Sequence, residues 1–302
     1  MNVGHLGKLV RKAVSAWIDD GAQSMGAALA YYTVFSIAPL LIIVIAVAGF
    51  VFDREAVQGE IAAQLQSLIG SDGAIAVQGL VKSASEPAHG IIATLTSIVL
   101  LIVGSTSVFA ELQSSLDRIW RVPATKVSGV WNLLRARLLS FAMILALGFM
   151  LLVSLVVSAT VAAFGARWGN MVGGQEMLLQ ISNIVISLGL STGLFAMIYK
   201  VMPRAKIAWR DVWIGAFVTA VLFEVGKFLV GLYLGKSGVA SGFGAAGSLV
   251  VLLIWVYYSA QIFLLGAEFT WVNAQEHASR VTGSAAGAAR GESGSLAGIP
   301  TR

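Results

Sequence analysis

Glu224 and Lys227 stand three residues apart in the middle of the otherwise uncharged stretch 212–234. At that spacing a carboxylate and an ammonium share one helix face, with the acid on the favourable N-terminal side. In a bilayer each charge costs about 2.5–3.5 kcal/mol at the midplane, so neither is expected to face lipid unpaired. Two readings follow: a polar or coupling site facing a cavity, or a self-neutralising structural pair whose Lys227 reaches toward the outer interface. A second group, Tyr31, Tyr32, Ser36, Glu111, Gln113, Arg118 and Glu268, lies near the inner ends of apolar stretches, with Gln23, Ser24 and Asp117 close by in sequence. These residues can form one polar cluster at a cytoplasmic mouth, with Arg118 as the cation for Glu111 or Glu268. Alternatively, they are no more than polar helix ends at an interface.

Other chemistries find no support in the residue types. His5, His89 and His277 are scattered without ligand spacing, and the chain has no cysteine, so thiolate or histidine metal sites are not expected. No G-x-S-x-G elbow occurs. Gly235-Lys236-Ser237 invites a phosphate-loop reading, but Val230 occupies the position of the required first glycine. The segment 242–248 is either an irregular helix entry whose amides could meet an anion or a tight turn. No catalytic constellation is found, no cofactor is called for, and the expectation is a protein that is not an enzyme.

The elements that must hold these residues are membrane helices. Hydrophobic residues make up 57% of the 302 and charged residues only 12%, against about 25% charged in soluble domains, and mean hydropathy is +0.84. Apolar stretches at 26–52, 91–110, 138–164, 178–199, 212–234 and 248–272 are each compatible with the roughly 20 residues a bilayer requires. Ala46-Val47-Ala48 resembles a leader cleavage site, but the apolar run before it is too long for one, so a permanent span is expected. Six spans place both termini on one side. Fifteen of the 20 Lys and Arg residues then fall on that side and four on the other, with Lys227 inside a span. The positive-inside rule puts the termini in the cytoplasm. This distribution accounts for the net charge of +5 through topology and anionic lipid, without a nucleic-acid partner.

Flanking the spans, residues 1–25 hold a basic amphipathic helix whose apolar side is Leu6, Leu9, Val10, Val14, Trp17 and Ile18, suited to the headgroup plane. Residues 53–90 read as two short amphipathic helices on the outer side. Residues 273–302 are rich in Gly, Ala and Ser without an apolar period and are expected to be a disordered cytoplasmic tail. The fold class is thus all-α: an integral membrane protein of six transmembrane helices with interfacial helices.

The run Gly26-Ala27-Ala28-Leu29-Ala30-Tyr31-Tyr32-Thr33-Val34-Phe35-Ser36-Ile37-Ala38-Pro39-Leu40-Leu41 closely resembles the signature of the YihY/BrkB family of bacterial inner-membrane proteins. Glu111-Leu112-Gln113 with Arg118-Ile119-Trp120, the Phe223-Glu224 and Lys227-Phe228 block, 244–248, and Leu265-Gly266-Ala267-Glu268 extend the resemblance in the right order. It implies a six-helix inner-membrane protein. The family has carried the labels of a tRNA-processing ribonuclease and of a serum-resistance factor. The first conflicts with the absence of a metal cluster here, and the second implies no mechanism. The expectation is a transporter or flippase-like protein for a lipid or other amphiphile, with membrane lipids as partners. The alternative is a scaffold for envelope assembly.

Overall fold

The computed structural model describes residues 3–50, 53–85, 91–123, 175–237 and 246–296; the expected third span, 138–164, and most of 242–248 lie outside them. Every regular element among the described residues is a helix: α1 Val3–Asp19, α2 Ala22–Ala48, α3 Arg54–Ser85, α4 Ile91–Ile119, α5 Gln175–Val201, α6 Trp209–Ser237 and α7 Gly247–Leu296. Three segments, Ala22–Ala48, Trp209–Val230 and Gly247–His277, are long and apolar enough to cross a membrane. The chain is therefore an all-helical membrane protein.

Helix α1 turns into α2 at Gly21, whose φ of 69° is a left-handed conformation that residues with a Cβ rarely adopt. α1 packs on α7 through Leu9 and Ala13 against Phe269 and Val272. Its sequence-predicted apolar side is divided by this contact. Leu9, Ala13 and Ala16 are buried, while Leu6, Val10, Val14 and Ile18, each four residues from the next, form an exposed stripe. One helix thus has a protein-facing edge and an apolar edge turned outward.

α2 is the central element, in contact with α3, α4 and α7. Pro39 lies inside it and packs against the backbone of α4, where a Cβ added at Gly104 would come 3.1 Å from Pro39 Cγ. Beside this contact the buried Ser36 hydroxyl donates to the Gly104 carbonyl, tying the two helices at the level of the proline.

At the end of the bundle away from α1, α3 packs Val57 against Ile45 and Ala48, and Val77 against Leu252 and Val256. It is broken at Gly70 into two helical halves, where the sequence reading has two short helices. Asp53 accepts the Ala56 N–H at 3.1 Å and starts the first half.

α5, α6 and α7 form the aromatic core. Phe195 and Tyr199 of α5, Phe223 of α6, and Phe263 and Trp255 of α7 make successive ring contacts. Tyr199 is fully buried; its hydroxyl donates to the Phe263 carbonyl at 2.7 Å and lies 3.0 Å from Thr219 Oγ1. α6 and α7 approach closely because each threonine faces a glycine: a Cβ at Gly266 would collide with Thr219, and one at Gly215 with Thr270. Small residues of this kind let membrane helices gain dispersion contact where no hydrophobic force between them exists.

α7 continues as helix to Leu296, past residue 273, where the sequence reading expects the ordered chain to end. The reason lies in composition: six alanines between residues 274 and 289 favour helix more strongly than any other residue, offsetting the glycines on which the expectation of disorder rested.

Candidate functional site

Two polar sites emerge. The first is on the side of α6 that faces α5. Lys227 Nζ lies 2.7 Å from Glu224 Oε2, and the Ser187 hydroxyl of α5 donates to Glu224 Oε1 at 3.4 Å. Both charged side chains are about one-third exposed, Lys227 at 29% and Glu224 at 32%. Gly226 between them is pressed on Ile262 of α7, so the ion pair lies on a different side of the helix from the α6–α7 contact. The surrounding α6 surface is apolar and exposed at Val221, Val225, Phe228 and Leu229. The arrangement presents a zwitterionic spot in a hydrocarbon-like surface, not a pair sealed in a packed interior.

The second site is at the end where α1, α4 and α7 meet. Glu268 is wholly buried, and neither carboxylate oxygen has a hydrogen-bond partner. The groups facing it are Asp20, within hydrogen-bonding reach, and Arg121 beyond. Arg121 follows the end of α4 with a φ of 52°; its guanidinium lies 3.7 Å from Asp20 Oδ1 and 4.6 Å from the centre of the Trp271 ring. That left-handed residue turns the chain so that the guanidinium reaches back over α7.

Around this site the neighbouring helix ends are tied by specific polar contacts. Gln113 donates to the Met202 carbonyl at 3.1 Å. Asp117 accepts the Arg204 N–H at 2.8 Å and lies 3.5 Å from its Nε. Burial pushes the Asp117 carboxyl above its ordinary range, against the lowering effect of the Arg204 N–H and guanidinium. Buried Asp211 accepts from Asn273 Nδ2 and lies 3.0 Å from His277 Nδ1. Lys12 of α1 reaches Glu276 of α7 at 2.8 Å.

An open groove of about 420 Å³ lies between α2, α6 and α7, lined by Ala27, Ala30, Tyr233, Leu253, Ile254, Tyr257 and Tyr258. Its size falls within the range of small-molecule sites, roughly 300–1,000 Å³. Its lining is apolar apart from three phenol groups.

The structure distributes the sequence-predicted cluster over several places. Ser36 is buried against α4, and Gln113 binds the α5–α6 connection. Tyr31 is 57% exposed and meets Tyr32 edge-on and Phe35 at a tilt at the surface of α2. Helical phase separates Tyr31 from Ser36 in this cluster. Five residues at 3.6 per turn put Tyr31 and Ser36 about 140° apart. Arg118 is exposed, and among the described residues it pairs with neither Glu111 nor Glu268. The cation near Glu268 is Arg121, one turn later. Sequence reasoning missed Arg121 and Asp20, whose only signal is that each sits at a helix end.

A family model described as virulence factor BrkB matches residues 13–290. A UPF0761 membrane protein of Stenotrophomonas maltophilia strain K279a is 30% identical over 261 residues, covering 84% of this chain and 58% of that protein. UPF0761 membrane proteins of Pseudomonas paraeruginosa strain PA7 and Ralstonia nicotianae strain GMI1000 are 29% and 28% identical, over 83% and 88% of this chain and 59% and 58% of theirs. The chain thus spans somewhat more than half the length of these relatives. No solved structure matches it.

Proposed function

We propose, from the premise that the chain belongs to the virulence factor BrkB family, that it is a non-enzymatic inner-membrane protein that moves or accommodates a lipid or other amphiphile. In this reading six helices span the bacterial inner membrane, with both termini in the cytoplasm. The observation that carries it is the Glu224–Lys227 pair, one-third exposed on an apolar helix surface beside Ser187. A pair retained only for structure is best placed where packing excludes competitors. A pair left accessible at membrane depth offers both charges to a zwitterionic or anionic headgroup, while apolar neighbours such as Val225 and Phe228 suit its chains. The outward apolar stripe of α1 supports a helix resting in the headgroup plane.

A second reading, a scaffold for an envelope-assembly partner, draws support from the exposed aromatic patch of Tyr31, Tyr32 and Phe35. The two separate in reconstituted vesicles carrying a fluorescent phospholipid. Neutralising the pair (Glu224→Gln with Lys227→Met) should slow lipid movement at least about tenfold, or ~1.4 kcal/mol on the barrier, with folding intact. Movement at the wild-type rate by the neutralised protein would remove the transport reading.

A further inference from the structure

The buried end of the bundle carries a charge imbalance that the ion pair on α6 does not explain. Glu268 is 0% exposed, its two oxygens have no partner, and Asp20 Oδ2 is likewise buried and unpartnered. Asp20 and Glu268 face each other, yet neither carboxylate brings a hydrogen. Only a proton held by one of them can join them. Counting charge leads to the same place: two carboxylates stand against one guanidinium, Arg121, which already contacts the other oxygen of Asp20. With one proton in the pair the triad is neutral; without it the wholly buried Glu268 carries a charge that no partner offsets, which is a costly state.

No other described charge fills the role. On α4, Asp117 engages Arg204. On α6, Asp211 engages Asn273 and His277. Further along α7, Glu276 engages Lys12 and His5 of α1. On α5, Lys200 donates to the Ile207 carbonyl. The indole N–H groups of Trp17 and Trp120 are likewise buried without partners, so neither serves these carboxylates.

We propose that Asp20 and Glu268 form a proton-binding site in which one proton bridges Asp20 Oδ2 and a Glu268 oxygen. No bond other than this hydrogen bond forms or breaks, and the proton comes from and returns to water. Arg121 is the positioning residue: it fixes Asp20 through Oδ1, sits over Trp271, and sets how firmly the proton is held. The site joins the α1–α2 turn to α7, so its loading acts on the position of α1. That the proton is coupled to movement of an amphiphile rests on the transport reading; the site itself does not.

The test is an infrared titration of the full-length protein in lipid vesicles without added substrate, from about pH 5 to about pH 10, which brackets the range of buried carboxyls. The wild type should show a protonated-carboxyl stretch that titrates as one group and is lost in Glu268→Gln. Asp20→Asn should shift its position, since the bridging partner changes, and Arg121→Gln should retain it to higher pH, since the competing cation is gone. Carboxylates that stay ionised across this range would give no such band in the wild type or in any of the three variants. The proposal is overturned if the wild type shows no such band, if Glu268→Gln leaves it unchanged, or if sodium at constant pH displaces it, which would make the site one for a metal cation. Loss of lipid movement in the α6 variant with this band intact, or the reverse, keeps the two readings separately testable.

Discussion

Replacing Gly266 by alanine should loosen the bundle more than any other single-methyl change among the described residues of α7. An ideal Cβ there would overlap Thr219 Oγ1 and lie 2.7 Å from Tyr199 Oη and 2.8 Å from Thr219 Cβ. The obstructing atoms belong to buried, hydrogen-bonded side chains: Thr219 donates to the Gly215 carbonyl at 2.7 Å, and Tyr199 to that of Phe263 at 2.7 Å. Neither can swing aside without losing its bond. Overpacking alone costs roughly 1–3 kcal/mol, and a disrupted hydrogen bond adds about 1 kcal/mol. A total of about 2–4 kcal/mol, at roughly 2 °C per kcal/mol for a chain of this size, predicts a Tm lower by about 4–8 °C, read from tryptophan emission in detergent. Gly189 of α5 is the control, since a Cβ there meets nothing within 4 Å; Gly189→Ala should be neutral or stabilise by up to ~1 kcal/mol through helix propensity. Adding Thr219→Ala to Gly266→Ala should recover part of the loss, because Thr219 Oγ1, the atom that would overlap most, is removed, so the two changes will not be additive. Equal Tm values for Gly266→Ala and wild type, or an equal loss at Gly189, would refute the glycine–threonine interlock.

Two further outcomes follow from the polar contacts. Ser36→Ala should cost about 1 kcal/mol by removing the buried bond to the Gly104 carbonyl, visible as a Tm lower by roughly 2 °C; an unchanged Tm would show that Pro39 alone sets the α2–α4 contact. Asp117, whose native pKa is raised, binds a proton more tightly folded than unfolded. Its contribution is therefore full below its unfolded value of about 3.9 and is lost as pH rises through the native value. Asp117→Asn should lack this dependence while keeping an acceptor for the Arg204 N–H, so the wild-type-minus-variant Tm difference should fall as pH rises above about 4; a difference that rises instead reverses the sign of this account.

How much of this was legible in the sequence depends on whether the partners share a helix. Glu224 and Lys227 do, and three-residue spacing suffices to pair them on paper. Glu268 does not: its neighbours arrive from the Gly21 turn and from the left-handed Arg121, and both placements are set by how chain ends bend, which residue types signal only weakly. Arg118 is a more obvious cation than Arg121 by position within α4, yet both are exposed, and it is the turn at Arg121 that brings a guanidinium to Asp20. Tyr31 shows a different failure. Grouping it with Ser36 by depth ignored the rotation between them, and the interior face of α2 is instead marked by Ala30, Val34, Ala38 and Leu41, small and branched residues without chemistry of their own. In α1 the apolar side was read correctly as to residue type, but only packing against α7 decides which edge of it is covered.

The two sides of α6 then have different mechanical roles. Toward α7 it is held by Gly215, Thr219 and Gly226, with threonine hydroxyls bonded within their own helices and no slack for sliding. Toward α5 the contact is uneven. At the Tyr199 end it is closed by a buried hydroxyl network and the Phe195–Phe223 ring pair. At the Ser187 end the polar contact among the described residues is one long hydrogen bond to Glu224, with Val185 61% and Phe228 70% exposed. The ion pair lies at the less closely packed end, away from the α6–α7 interlock. Exposure of the charged pair and integrity of the core are thus separate features of this fold, which is the separation that the proposed accommodation of a headgroup requires.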